Sequence, residues 1–187
     1  MTDIISLTDF LKGNKIINRA AVTGAGPSLD KHHEEIRRFP VTIGVNYTYK
    51  LHPCDFLFVS HGILLFNFFK GIEAMPKNTT VVYPDKMIDF MFRGPKAPPT
   101  PGIRYRPYKD LYVGTSTIIP AIHFGCLIAD RVTVYGMDLC FTGGNQYAKD
   151  YPTKQQSQKI FDEWAEVVTR QLAHMKNHMD LIFLVKS

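Results

Sequence analysis

A mostly apolar run from Ile16 to Thr23, rich in Ile, Ala and Val, meets Gly24-Ala25-Gly26-Pro27-Ser28 with no spacer. Such a run ending on two glycines reads as a buried strand that turns sharply into a helix, because glycine accepts the positive φ of a tight turn and lets backbones approach closely. The helix is expected from Ser28 to about Arg38. A strand, a glycine turn and a helix in that order constrain the chain towards an open α/β sheet.

The rest of the sequence keeps the same rhythm. Short β-rich runs recur at Val41–Val45, Phe56–Val59, Thr79–Val82, Val132–Tyr135 and Leu181–Val185. Helical stretches are expected at Ser6–Leu11, Ile63–Met75, Asp85–Phe92, Ser116–Ala129 and Thr153–Asn177. The first of these has Ser6 or Thr8 as its cap, and in the last Ile160, Trp164, Val168 and Leu172 fall on one face. Alternating strands and helices predict a Rossmann-like, doubly wound, mainly parallel sheet with helices on both faces, built as a single α/β domain over 1–187. With 187 residues, 45% of them apolar, the chain can bury a substantial core.

Composition excludes several classes. No window approaches the roughly 18 uninterrupted apolar residues of a membrane span, so no integral membrane segment is expected. The start MTDIISLTDF is acidic where a secretory leader would be basic, which leads to a cytoplasmic expectation. Cys54, Cys126 and Cys140 lie in apolar company without CxxC spacing and read as buried reduced thiols. The formal charge of +5 is concentrated. Arg93, Lys96, Arg104, Arg106 and Lys109 lie in one interval, 93–109, with five prolines and no acid, and the rest of the chain holds 17 basic and 17 acidic residues. That interval is not expected to form a regular helix or a central strand, and it reads either as a solvated surface loop or as a ligand-facing one. A local positive segment suits a small anionic ligand better than a nucleic-acid surface, so no nucleic-acid partner is expected.

Candidate site residues cluster at the ends of the apolar runs. In Gly24, Ala25, Gly26, Pro27 and Ser28, close backbone approach and a following helix N-terminus favour a phosphate, with Ser28 either donating its hydroxyl or capping the helix. The pattern is neither the dinucleotide GxGxxG nor a P-loop. Asn46, after Gly44-Val45, lies where ligand crevices open in doubly wound sheets and offers both a donor and an acceptor; a capping or turn role is the alternative. Thr115 and Ser116 begin another hydroxyl-rich helix N-terminus, fit for a second phosphate, a sugar or simple capping. Asp138 can bind Mg²⁺, orient a substrate hydroxyl, or bond nearby backbone N–H groups. Tyr147 and Tyr151 offer phenols as proton donors, and His61 is a candidate acid, base or ligand contact. The other histidines carry less information: His32 and His33 are expected in solvent, His52 in a turn, and His123 packed. His174 and His178 have zinc spacing but no third ligand, so no metal site is assigned.

GAGPSL at 24–29, GVN at 44–46, GTST at 114–117 and YGMDL at 135–139, with Tyr147-Ala148 beyond, together form a recognisable set. In this motif order the chain resembles the superfamily that joins bacterial lipooligosaccharide-type sialyltransferases with MptE-like hydroxymethylpterin diphosphokinases. The sialyltransferase branch implies transfer of a sugar, sialic acid among the possibilities, from a nucleotide-activated donor to a hydroxyl acceptor. It implies a CMP-sugar surrounded by Gly24–Ser28, Asn46 and Thr115-Ser116, no required cofactor, a tyrosine assisting phosphate departure at Tyr147, and a glycan or small hydroxyl acceptor. A histidine base is also implied; residues 147–161 contain none, which leaves His61 as the candidate. The diphosphokinase branch implies ATP phosphates on the glycine turn and Mg²⁺ on Asp138 with a second carboxylate. A non-catalytic nucleotide- or glycan-binding domain is the third reading.

Overall fold

The computed structural model describes residues 4–13, 16–60, 62–85, 102–107, 109–138, 147–152, 157–178 and 183–186. Eight strands form one sheet: β1 (Ile4–Ser6), β2 (Ile17–Thr23), β3 (Val41–Val45), β4 (Phe56–Phe58), β5 (Thr80–Pro84), β6 (Gly102–Tyr105), β7 (Ala129–Tyr135) and β8 (Phe183–Lys186). Their order is β1-β6-β5-β4-β3-β2-β7-β8, and all seven pairings are parallel. The order reverses at β2, which has β3 on one side and β7 on the other.

Helices cover both faces, as the alternation of side chains requires. Ala20, Val22, Phe58 and Val82 point to one core with α1 (Leu7–Gly13), α4 (Ile118–Ile128) and α5 (Gln158–His178). Leu57, Val59, Val81 and Tyr83 point the other way, onto α3 (Gly62–Phe69). Ala21 and Tyr135 pack on that second face against Leu29 and Ile36, the latter in α2 (His33–Ile36). Helix α4 is buried nearly all round, from Ile118 to Gly125, because it lies between the sheet and α5. Its His123 accepts the Tyr112 N–H at Nδ1 (2.7 Å), and burial holds its pKa below the ordinary imidazole value, so it is a packed neutral side chain as expected. No helix among the described residues is long and apolar enough to cross a membrane.

Several expectations are corrected. The first helix is preceded by a strand, Ile4–Ser6, and starts at Leu7, with the Ser6 hydroxyl accepting the Asp9 N–H as cap. The expected helix from Ser28 to Arg38 is two short pieces, a 3-10 turn over Pro27–Lys31 and α2, with the switch at His32. His32 is not a solvated side chain: its ring packs 5.2 Å from Tyr135, and His33 stacks on the buried His52 at 5.8 Å. The apolar stripe of α5 runs through Phe161, Ala165, Val168, Leu172 and Met175; Val168 and Leu172 lie on it as expected and Trp164 packs beside it, whereas Ile160 is exposed. The largest correction is β6. The proline-rich interval contains an interior strand, paired to β1 and β5, because Gly102-Ile103-Arg104-Tyr105 is free of proline between Pro101 and Pro107. The part of that interval up to Pro101 lies outside the described residues, and so does the helix expected over Asp85–Phe92 beyond its first residue.

Cys54 is buried, and burial pushes its thiol up to about 12; Cys126 is pushed up to about 11 for the same reason. Cys140 lies outside the described residues. At about pH 8 the Cys54 thiolate fraction is therefore about one part in ten thousand. Native protein should leave Cys54 unmodified by an aromatic disulfide reagent, and unfolding in guanidinium should release it. Fast native modification, located by peptide mapping, would contradict this burial.

Candidate functional site

In open α/β sheets the ligand crevice forms at the carboxyl ends of the strands where their order reverses. Here that point is β2 against β7, and a glycine follows each strand, Gly24 and Gly136. The Gly24 N–H donates to Tyr135 O (2.8 Å) and the Gly26 N–H to Gly136 O (2.6 Å), so the two chains cross in backbone contact. A Cβ on Gly24 would collide with Gly136 O, and one on Gly26 with the Asp138 carboxylate. Gly136 has φ +62°, a conformation that glycine adopts without a steric penalty.

Asp138 lies over this crossing. Its Oδ2 accepts the Ser28 N–H at 2.8 Å, so the carboxylate occupies the position in front of the 3-10 turn where the sequence suggested a phosphate. The N–H groups of Gly24, Gly26 and Ser28 are thus all engaged within the protein. The same turn also holds the next segment: Ala148 N–H donates to Ala25 O (2.7 Å), and Lys149 N–H donates to Asp30 Oδ2 (2.9 Å). Ala148 is buried, and Tyr147 beside it is presented to the crevice. Burial raises the Tyr147 phenol above its ordinary pKa, which keeps it protonated as a hydrogen-bond donor.

A polar wall rises from β3, β4 and the start of α4. The fully buried Thr48 hydroxyl accepts the Val45 N–H (2.7 Å) and fixes the turn that carries Asn46 at φ +48°. Asparagine is among the few non-glycine residues that tolerate this region. Asn46 Nδ2 donates to Thr117 Oγ1 (3.0 Å), Ser60 N–H approaches Asn46 Oδ1 (3.4 Å), and the Ser60 and Thr117 hydroxyls share a short hydrogen bond. Thr115 donates through its N–H and its hydroxyl to Gln171 Oε1 (3.3 and 3.4 Å), tying the loop before α4 to α5. A Cβ on Gly114 would strike the Gln171 amide, so this contact also depends on a glycine.

Five aromatic side chains also line the crevice: Tyr47, Tyr147 and Tyr151, which contact one another, and Phe161 with Trp164. The enclosed volume is about 620 Å³. Gly24, Ala25, Gly26, Asn46, Thr115, Ser116, Asp138 and Tyr147, proposed from sequence, all line this one crevice. Pro27 and Ser28 lie behind it; Ser28 is buried and its Oγ has no hydrogen-bond partner. His61 lies outside the described residues, although Ser60 before it lines the crevice. Asp138 is the single carboxylate among the described lining residues, so a two-carboxylate Mg²⁺ site is not assembled there. Sequence reasoning did not single out Ser60, Thr117, Tyr47, Phe161 or Trp164. The basic side chains Arg104 and Arg106 line a separate cavity of about 360 Å³, four strand positions from β2, where Arg106 is paired to Asp110 at 2.8 Å.

The fold and its switch-point crevice define a Rossmann-like α/β protein. No protein-family model matches the chain, and no curated protein matches it. Among solved structures it is similar to a mammalian sialyltransferase in complex with Gal-beta-1-3GalNAc-ortho-nitrophenol, at TM-score 0.53 and 14% identity, over 91% of this chain and 69% of that one. A second mammalian sialyltransferase structure is similar at TM-score 0.51, with the same identity and coverage. The chain shares its fold with these enzymes.

Proposed function

We propose that the protein is a glycosyltransferase that takes a sugar from a nucleotide-activated donor, with a CMP-sugar as the leading candidate, and passes it to a hydroxyl acceptor. The observation that carries this reading is a single crevice, at the strand-order reversal of a sialyltransferase-like fold, that joins a hydroxyl- and amide-lined wall to a protonated tyrosine. The donor phosphate would lie at the N-terminus of α4, where the backbone N–H groups and the Ser116 hydroxyl favour an anion, on a loop that Thr115 ties to Gln171. Asn46 would hold the nucleoside, with Gly24, Ala25 and Gly26 as the floor beneath it and Pro27 and Ser28 supporting that floor. In the reaction the acceptor oxygen attacks the anomeric carbon and the bond from that carbon to the phosphate oxygen breaks. The electron pair leaves with the phosphate, which Tyr147 meets with its O–H, while the acceptor proton passes to a base. Asp138 would orient the acceptor hydroxyl; no histidine lines the crevice among the described residues, and His61 remains the sequence candidate for the base.

A thermal-shift series with CMP, CDP, UDP, GDP and ATP, with and without Mg²⁺, tests this. Ligand at about 100 times its Kd adds about 2.7 kcal/mol of stability, and each kcal/mol moves the Tm of a domain this size by roughly 2–4 °C. CMP without metal should therefore raise Tm by roughly 5–10 °C. Stabilisation by ATP only in the presence of Mg²⁺ would replace this reading with the diphosphokinase, and no shift with any nucleotide would contradict both.

A further inference from the structure

The second cavity, of about 360 Å³, opens on the same carboxyl edge of the sheet as the crevice, among the ends of β1, β5 and β6. Ser6 ends β1, Tyr105 ends β6, and Asp85 follows β5 directly. Neighbouring strands lie about 4.8 Å apart, so four strand positions put β6 about 19 Å from β2. A small ligand in this cavity does not reach the crevice floor.

Among the described residues, Arg104, Arg106, Asp85 and Asp110 are the charged side chains of its lining. Arg106 and Asp110 satisfy each other: Nε–H and Nη2–H of the arginine donate to Asp110 Oδ1 at 3.1 and 2.8 Å, and the Arg106 backbone N–H donates to Oδ2 at 2.7 Å. Asp85 acts electrostatically on Arg106 and Tyr105. Arg104 is held differently. Strand register sets it in a row between Ser6 of β1 and Tyr83 of β5. Its Nε–H donates to the Tyr83 hydroxyl at 3.3 Å, and its guanidinium carbon lies 5.9 Å from the centre of that fully buried ring. The half-buried Arg104 makes no ion pair with a described acid, and only one of its five N–H donors is used in this contact. The neighbouring Ser6 hydroxyl is engaged with Asp9.

A guanidinium anchored through Nε keeps the coplanar Nη1 and Nη2 groups as a fork, which matches the two oxygens of a carboxylate through parallel charge-assisted hydrogen bonds. The acids of the lining narrow the choice of anion. Asp85 and Asp110 repel each further negative charge brought beside them, so a monoanion is favoured over a phosphate dianion. The cavity volume falls within the range of small-molecule sites, about 300–1,000 Å³.

We propose that the cavity at the ends of β1, β5 and β6 is a binding site for a small organic monocarboxylate, held in a bidentate pair by Arg104. The site is independent of glycosyl transfer and takes its ligand whether or not the crevice takes CMP.

Amide-resolved NMR on the full chain tests this, with sodium acetate as the probe and sodium chloride and sodium phosphate at equal ionic strength as comparisons. Acetate should produce saturable shifts at Thr8, Arg104 and Arg106, with a Kd on the order of millimolar, and leave Asn46 and Gly136 unmoved. Chloride should produce no saturable shift there, and phosphate should bind about fivefold more weakly than acetate. Arg104→Gln should abolish acetate binding. Arg104→Lys keeps the charge but loses the fork, and should weaken acetate about tenfold. No saturation by acetate in the wild type would overturn the proposal, and this result needs no variant to fold. An equal response to chloride would reduce the site to an adventitious ion only, and tighter binding of phosphate would reassign it to phosphate; either outcome removes the carboxylate. Acetate affinity unchanged in Arg104→Gln would place the anion elsewhere, and affinity unchanged in Arg104→Lys would contradict the bidentate pair.

Discussion

Gly26→Asp should cost the protein about 3 kcal/mol or more before any ligand is added, seen as a fall in Tm of roughly 6–12 °C by calorimetry. The new Cβ would enter the space of the Asp138 carboxylate and come within 2.8 Å of Gly136 O and the Asp138 N–H. The backbone cannot retreat, because the Gly26 N–H is bonded to Gly136 O at 2.6 Å. A second carboxylate beside Asp138 adds like-charge repulsion to the overlap. Gly26→Ala isolates the steric part and should cost about 1–3 kcal/mol. An unchanged Tm in Gly26→Asp would mean that the β2–β7 crossing is not the rigid floor described here. Disruption of this floor would also release Asp138 and the segment carrying Tyr147, so nucleotide binding should fail together with stability.

Tyr147→Phe should leave the fold and donor affinity nearly intact and slow transfer about 100-fold or more, the lower end of what a positioned proton donor contributes. The phenylalanine keeps the stack on Tyr151 and loses only the O–H offered to the departing phosphate. Because burial raises the phenol pKa above its ordinary value near 10, Tyr147 remains the protonated donor throughout the neutral range. The rate should therefore show no loss from Tyr147 ionisation below about pH 10. Single-turnover release of nucleotide from a labelled donor measures both effects, and a rate within about threefold of wild type would remove Tyr147 from the chemistry.

The sequence discloses the frame of this site more readily than its lining. The apolar run ending at Thr23 and the two glycines after it are local signals, and the strand and turn they predict are present. Asn46 and Asp138 are legible because they stand just past such runs, and Thr115 because it precedes a helix with hydroxyls at its start. What joins them is tertiary. Ser28 and Asp138 are 110 residues apart, and nothing local shows that the carboxylate caps the turn and takes the place in front of it. Ser60 and Thr117 carry small hydroxyls at element ends, where capping is an equally good account, and only the fold brings them together on Asn46. Trp164 lies on α5 beside its apolar stripe, and helical periodicity cannot distinguish a ring that packs on the sheet from one that lines a cavity. β6 was missed because prolines crowd its flanks, whereas the four residues that pair are free of them. The basic surplus of that interval invited an anion-binding role, yet Arg104 and Arg106 stand at the far side of the sheet, in the second cavity.

The central claim is that the β2–β7 crevice holds the nucleotide, and an amide-resolved NMR titration with CMP tests it most directly. Saturable shifts are expected at Asn46, Ser60, Ser116, Thr117 and Gly136, with little change at Arg104 and Arg106. Saturating CMP that leaves the crevice amides unmoved, or that shifts the Arg104–Arg106 cavity instead, would contradict it.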